Sequence, residues 1–77
     1  MLPSPDIELD LRGLTCPMPL LKAKQALNKL DAGKIIKVTA TDPGSERDFQ
    51  VFARQSGVRL LQMEKDATEF RYWLQKP

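Results

Sequence analysis

A single cysteine, Cys16, stands in the run Thr15-Cys16-Pro17-Met18-Pro19-Leu20-Leu21, and its neighbours suit it to thiol chemistry. Proline is tolerated in the first turn of a helix, where its missing N–H would have had no partner, so Pro17 and Pro19 mark a helix start. Cys16 is thereby placed at or just before the N-cap. The free backbone N–H groups and the positive pole at such an end favour an anion, here the nucleophilic thiolate. A fall of about one unit from the reference pKa near 8.5 would raise the thiolate fraction at pH 7.5 from roughly 9% to roughly half. The competing reading of a lone cysteine is a small, inert core residue. The flanking prolines argue against it, because a residue held at a helix start has backbone to present rather than a core to fill.

Composition narrows the remaining chemistry. The 77 residues form one domain, 1–77, with 1–5 expected as a flexible N-terminus, and so small a domain needs an efficient two-layer core. With one cysteine and no histidine there is no internal disulfide, no credible metal ligand set and no Cys-His pair for protease-type catalysis. No cofactor is expected. A net charge of +2 is too small to argue for direct nucleic-acid binding. The apolar stretches fall far short of the about 20 residues that span a bilayer. The start, Met1-Leu2-Pro3-Ser4-Pro5-Asp6, has neither a basic nor an apolar leader region, which together with the unpaired thiol points to the cytoplasm.

The elements that must position Cys16 follow from periodicity. Ile7, Leu9 and Leu11 alternate with Glu8 and Asp10 as a half-buried strand. Arg12-Gly13-Leu14-Thr15 turns into a helix over about 17–30, with Leu20, Ala23, Leu27 and Leu30 on one stripe and Lys22, Lys24, Gln25 and Lys29 facing away. Asp31-Ala32-Gly33 stops it, and a strand over 34–41 turns Ile36, Val38 and Ala40 inward. After Asp42-Pro43-Gly44, Ser45 and Asp48 resemble a capping box for a second helix that buries Phe49, Phe52, Ala53 and Ser56 and ends at Gly57. Strands over 58–65 and 69–75 fit a hairpin turning at Asp66-Ala67-Thr68. The order βαβαββ predicts an α/β two-layer sandwich, a mixed four-stranded sheet with both helices on one face.

The stretch Leu9-Asp10-Leu11-Arg12-Gly13-Leu14-Thr15-Cys16-Pro17-Met18-Pro19, followed by Thr41-Asp42-Pro43 and Asp48, resembles the TusA (SirA-like) sulfur-carrier family over nearly the whole chain. Its L-D-x-R-G-L-x-C-P-x-P signature is specific. The resemblance implies a monomeric carrier whose CPxP cysteine accepts persulfide sulfur from a cysteine desulfurase or rhodanese-like donor and hands it to a downstream sulfur-acceptor protein. Carried over by position, Cys16 is the persulfide carrier, and Pro17, Pro19, Arg12 and Gly13 shape its site. The family serves 2-thiouridine synthesis on tRNA, molybdenum cofactor supply, sulfur oxidation and, in some relatives, selenium metabolism. Its tRNA-thiolation members read Cys-Pro-Glu-Pro, whereas this chain has Met18 between the prolines and so lacks a carboxylate beside the sulfur. The resemblance does not choose among the pathways.

Around Cys16, the residues Arg12, Lys22 and Lys24 read either as a basic rim that docks an acidic partner or as a solvated face, and Met18 is a further docking candidate. Asp10 and Asp42 read as turn formers and caps. Trp73 alternates onto the open sheet face, where it reads as an ordinary exposed aromatic. A thiol redox protein is the alternative function, weakened by the lack of a resolving cysteine, and a regulatory or RNA-binding module is opposed by few strand aromatics and dispersed basic residues.

Overall fold

Alternation of apolar and polar residues along the strands leaves the sheet with one apolar face to bury, which the helices must cover. The computed structural model describes residues 2–77, and in it the order is β1 (Ile7–Leu11), α1 (Met18–Asn28), β2 (Ile35–Ala40), α2 (Ser45–Ser56), β3 (Arg59–Lys65) and β4 (Phe70–Gln75). The expected βαβαββ arrangement is the one found, with element ends moved by one or two residues. The strands lie in the order β1-β2-β4-β3; β1 and β2 are parallel, and β4 runs antiparallel to both β2 and β3.

Ala23 and Leu27 from α1 and Phe49 from α2 join Leu11, Ile36, Val38, Val58, Tyr72 and Leu74 in one buried cluster, with Leu9, Leu20, Leu30 and Phe52 packed against it. Pro19 is buried as well, so it is packed into the fold in addition to opening the helix. Lys76 Nζ closes the other end of α1 by donating to the Leu27 carbonyl at 2.9 Å. At Gly57 the chain takes φ +82, the left-handed turn a glycine allows, and α2 stops there.

The expected capping box is not formed. The N-cap of α2 is Gly44, without a side-chain cap, while Ser45 is buried with its Oγ 2.8 Å from the Tyr72 hydroxyl. A buried phenol needs a polar partner, and that need outranks a cap that water can replace. Burial pushes the Tyr72 hydroxyl up to about 12 against the opposing pull of the Ser45 hydrogen bond. The Phe49 ring stacks on Tyr72 at 4.5 Å, which ties α2 to β4. Ser56, expected on the buried stripe, is exposed and bridges the helix end instead: its Oγ donates to the Phe52 carbonyl at 2.7 Å and accepts from the Val58 N–H at 3.2 Å.

Two features of the sheet were not anticipated. A register shift between Leu60 and Gln62 bulges the edge strand β3 and leaves Leu61 outside. Trp73 does lie on the open face, opposite Lys37, but it is only 2% exposed. Lys37 Nζ sits over its ring at 5.4 Å, and Leu2, Pro3, Ser4 and Pro5, from the segment expected to be flexible, line a hollow with it. Met1 lies outside the described residues.

Truncating Leu27 to Ala in the centre of this core should cost about 2–5 kcal/mol, measured by chemical denaturation; a loss below about 0.5 kcal/mol would mean the side chain does not anchor α1. In the β3–β4 turn, N–H donors from Thr68 and Glu69, aided by Arg71, hold the Asp66 carboxyl at about 2, below its ordinary 3.8. The folded pKa is depressed, so this stabilisation is complete above about pH 4 and disappears as pH falls through 2. The melting-temperature gap between the parent and Asp66→Asn should therefore hold from pH 7 to 5 and close toward pH 2. A gap unchanged at pH 2 would show that the charge is not its source.

Candidate functional site

Parallel pairing sets Leu11 beside Ala40, so the chain leaves β1 and β2 at the same end of the sheet. The loop after β1 carries Cys16, and the loop after β2 carries Asp42 and Gly44. The first is pinned to the second at Gly13, whose N–H donates to Thr41 Oγ1 at 2.9 Å with the glycine at φ +84, a conformation that side-chain-bearing residues rarely take. The Met18 N–H then bonds the Thr15 carbonyl at 2.9 Å and begins the turn into α1. Pro17 is the N-cap, joined to Cys16 by a cis peptide bond, and Cys16 is exposed one residue ahead of it.

The thiol is not free of partners. Cys16 Sγ donates to Asp48 Oδ2 at 3.1 Å, reaching across to the first turn of α2. Asp42 stands behind: its Oδ2 is buried and, among the described residues, has no hydrogen-bond partner. Gly44 separates the two sides, because a methyl group built on it would meet Asp42 Oδ2 at 3.0 Å and Cys16 Cβ at 4.0 Å. The hydrogen bond to Asp48, then desolvation, then the charges of Asp48 and Asp42, all raise the Cys16 pKa. The fall expected from the helix start is thus reversed. A helix pole amounts to about half an elementary charge, and here a whole carboxylate charge sits at hydrogen-bond distance.

The basic rim is not assembled either. Arg12 turns to Asp10, with Nε at 2.8 Å and Nη2 at 2.9 Å, and reaches Glu69 at 3.5 Å. Asp10 is thereby a turn former, as expected, and Arg12 holds its carboxyl at about 2. Lys24 lies over the Phe52 ring at 5.4 Å, facing the groove between the helices, and Lys22 is exposed on α1. The charges nearest the sulfur are acidic. Met18 and Leu21 are exposed apolar side chains of the first turn of α1. Among the described residues no group of three or more cysteine and acidic side chains converges as a metal would require.

The family model described as Sulfurtransferase TusA matches residues 7–76. The chain belongs to the TusA family. It is 44% identical over 71 residues to the sulfur carrier protein TusA of Allochromatium vinosum, covering 92% of this chain and 93% of that one. A sulfur carrier protein TusA of Pseudomonas putida is 44% identical over 73 residues, covering 95% and 91% respectively. The crystal structure of a SirA-like protein from Desulfitobacterium hafniense superposes with a TM-score of 0.77 at 30% identity, over 90% of this chain and 95% of that one.

Within this TusA-family chain, sequence reasoning placed Cys16 but missed the work of Asp48 and Asp42. Asp48 falls three residues after Ser45 and so imitated a cap, and Asp42 precedes Pro43 in what reads as an ordinary turn. The available signal was their place in the Thr41-Asp42-Pro43 and Asp48 pattern that accompanies the cysteine motif. Alkylation of Cys16 by iodoacetamide, followed from pH 6 to 10, should give a midpoint above the ordinary value near 8.5; a midpoint below about 8 would return the thiolate to the control of the helix pole.

Proposed function

We propose that this TusA-family protein is a sulfur carrier whose Cys16 holds a sulfane sulfur as a persulfide. The observation that carries the reading is the exposure of its one cysteine at the start of α1, where both a donor and an acceptor protein can reach it. The names of its relatives support the same role. A carrier needs an accessible sulfur and little catalytic equipment of its own, since loading and unloading are exchanges driven by the partner's sulfur chemistry. A cysteine desulfurase or a rhodanese-like protein is the donor, and a second protein takes the sulfur onward. The protein acts as a monomer in the cytoplasm. No described helix is long and apolar enough to cross a membrane.

Docking falls to the surface around the sulfur. Pro17, Met18 and Leu21 offer apolar contact beside Cys16, with Lys22 and Lys24 further along the helix. A partner seated there buries the sulfur at the moment of transfer and excludes water from the exchange.

Incubation with a cysteine desulfurase, cysteine and pyridoxal phosphate should add sulfur to the intact mass, and a reductant should remove it. Cys16→Ser should take up none while melting close to the parent, because the side chain is exposed. Sulfur retained by the serine variant would overturn the assignment.

A further inference from the structure

In its free form the protein keeps its one nucleophile in a hydrogen bond that opposes nucleophilicity. Cys16 Sγ donates to Asp48 Oδ2 at 3.1 Å, and the buried, unpartnered Oδ2 of Asp42 adds a second negative group. Two roles are open to Asp48. As a general base it would take the thiol proton, but a carboxylate is by nature a much weaker base than a thiolate, so the proton stays on sulfur. As a holder it keeps the proton where it is, and that is the arrangement a charged acceptor and a thiol donor produce.

We propose that Asp48 is a positioning residue that holds the Cys16 thiol protonated in the free carrier and lets it go when a docking donor brings a cationic group to its carboxylate. The inference rests on the carrier reading above. The carboxylate is free for such a group: among the described residues neither Asp48 nor Asp42 has an ion-pair partner, whereas Glu46 on the same helix takes Lys65 at 3.2 Å. Arg47 and Lys24 line a hollow together with Asp48 but do not pair with it. Arg12 is drawn away to Asp10 and Glu69. The thiol thus faces Asp48 from α2 and Asp42 from the loop before it, and no cation of the described residues is paired with either carboxylate, which leaves both open to a cation that a partner brings.

Once released, the thiolate attacks the outer sulfur of the donor's persulfide. A bond forms between Sγ and that sulfur, the donor's S–S bond breaks with its electron pair on the inner sulfur, and the proton shed by Cys16 ends on that inner sulfur. One S–S bond replaces another, so neither oxidant nor reductant is consumed. Small electrophiles and peroxides, which bring no cation, meet a thiol rather than a thiolate, and the carrier is spared.

Asp48→Asn keeps the shape and an acceptor oxygen while removing the charge. Iodoacetamide alkylation of the unloaded chain from pH 6 to 10 should show a lower midpoint, with alkylation at pH 7.5 faster by about threefold for each unit of fall, since the gain in thiolate is partly offset by lost nucleophilicity. Asp48→Glu should restore most of the parent profile, and Asp42→Asn, which leaves the hydrogen bond intact, should give a smaller fall in the same direction even if Asp48→Asn folds poorly. Loading by a cysteine desulfurase supplied with cysteine and pyridoxal phosphate should not share the gain, so that the ratio of loading to alkylation rates drops by about the same factor as alkylation rises. Unchanged midpoints in both asparagine variants overturn the holding role, and equal gains in loading and alkylation overturn the release by a partner's cation. Failure of the parent to load overturns the carrier reading and the release with it, while the alkylation profiles decide the holding role separately.

Discussion

The parallel pairing of β1 with β2 is the constraint on which the site depends. An antiparallel pair could be closed by a tight turn, but parallel strands require a crossover, and α1 is that crossover. Because both strands end at the same edge, the loops that follow them lie together, and residues 32 positions apart in the chain, Cys16 and Asp48, come within one hydrogen bond. Such a crevice at the carboxyl ends of strands is where open α/β sheets commonly place their chemistry. Gly13 and Thr41 fasten the two loops, and Gly44 supplies the clearance between Asp42 and Cys16 that a side chain would close.

Burial below the loops gives them a firm base. Ile36, Val38 and Ala40 of β2 and Tyr72 and Leu74 of β4 are covered completely, and the Phe49 ring on Tyr72 fixes how α2 lies across the sheet. Asp48 sits one residue before Phe49, so the position of its carboxylate follows from the seating of that ring. On the other face the same strands turn charged groups outward. Lys37 meets Glu8 at 3.8 Å, and Arg71 is shared among Glu64, Asp66 and Glu69. Exposed pairs of this kind add little stability each, but they keep that face soluble while Lys37 shields the Trp73 ring.

What could be read from the chain was whatever depends on near neighbours. Strand alternation, the helical stripe through Ala23 and Leu27, the stop at Gly57 and the helix start after Cys16 are all set within a few residues, and all are found. The errors share a different cause. Ser45 looked like a cap and became the partner of Tyr72, 27 residues away; Asp48 looked like the other half of that cap and became the partner of Cys16. Trp73 alternated toward solvent as expected, but the segment from Leu2 to Pro5 and the Lys37 stem folded over it. In each case a tertiary contact decided the outcome, and for Ser45 and Asp48 it outweighed a capping preference worth about 0.5–2 kcal/mol. The acidity of the sulfur went wrong for the same reason, since a helix pole is a local property and a carboxylate from the next helix is not.

The bulge at Leu61 has a meaning for a molecule that travels between partners. An outer strand offers a row of free amide and carbonyl groups to any strand of matching spacing, including the same strand of another copy. The shift between Leu60 and Gln62 interrupts that row midway along β3, and the exposed charged residues Arg59 and Lys65 stand at its two ends. Sheet extension into chains of copies is thereby discouraged along β3, the longer of the sheet's two edge strands. In a sulfur carrier, an irregularity at the edge of the sheet thus works against pairing between copies and leaves exchange to the surface around the thiol.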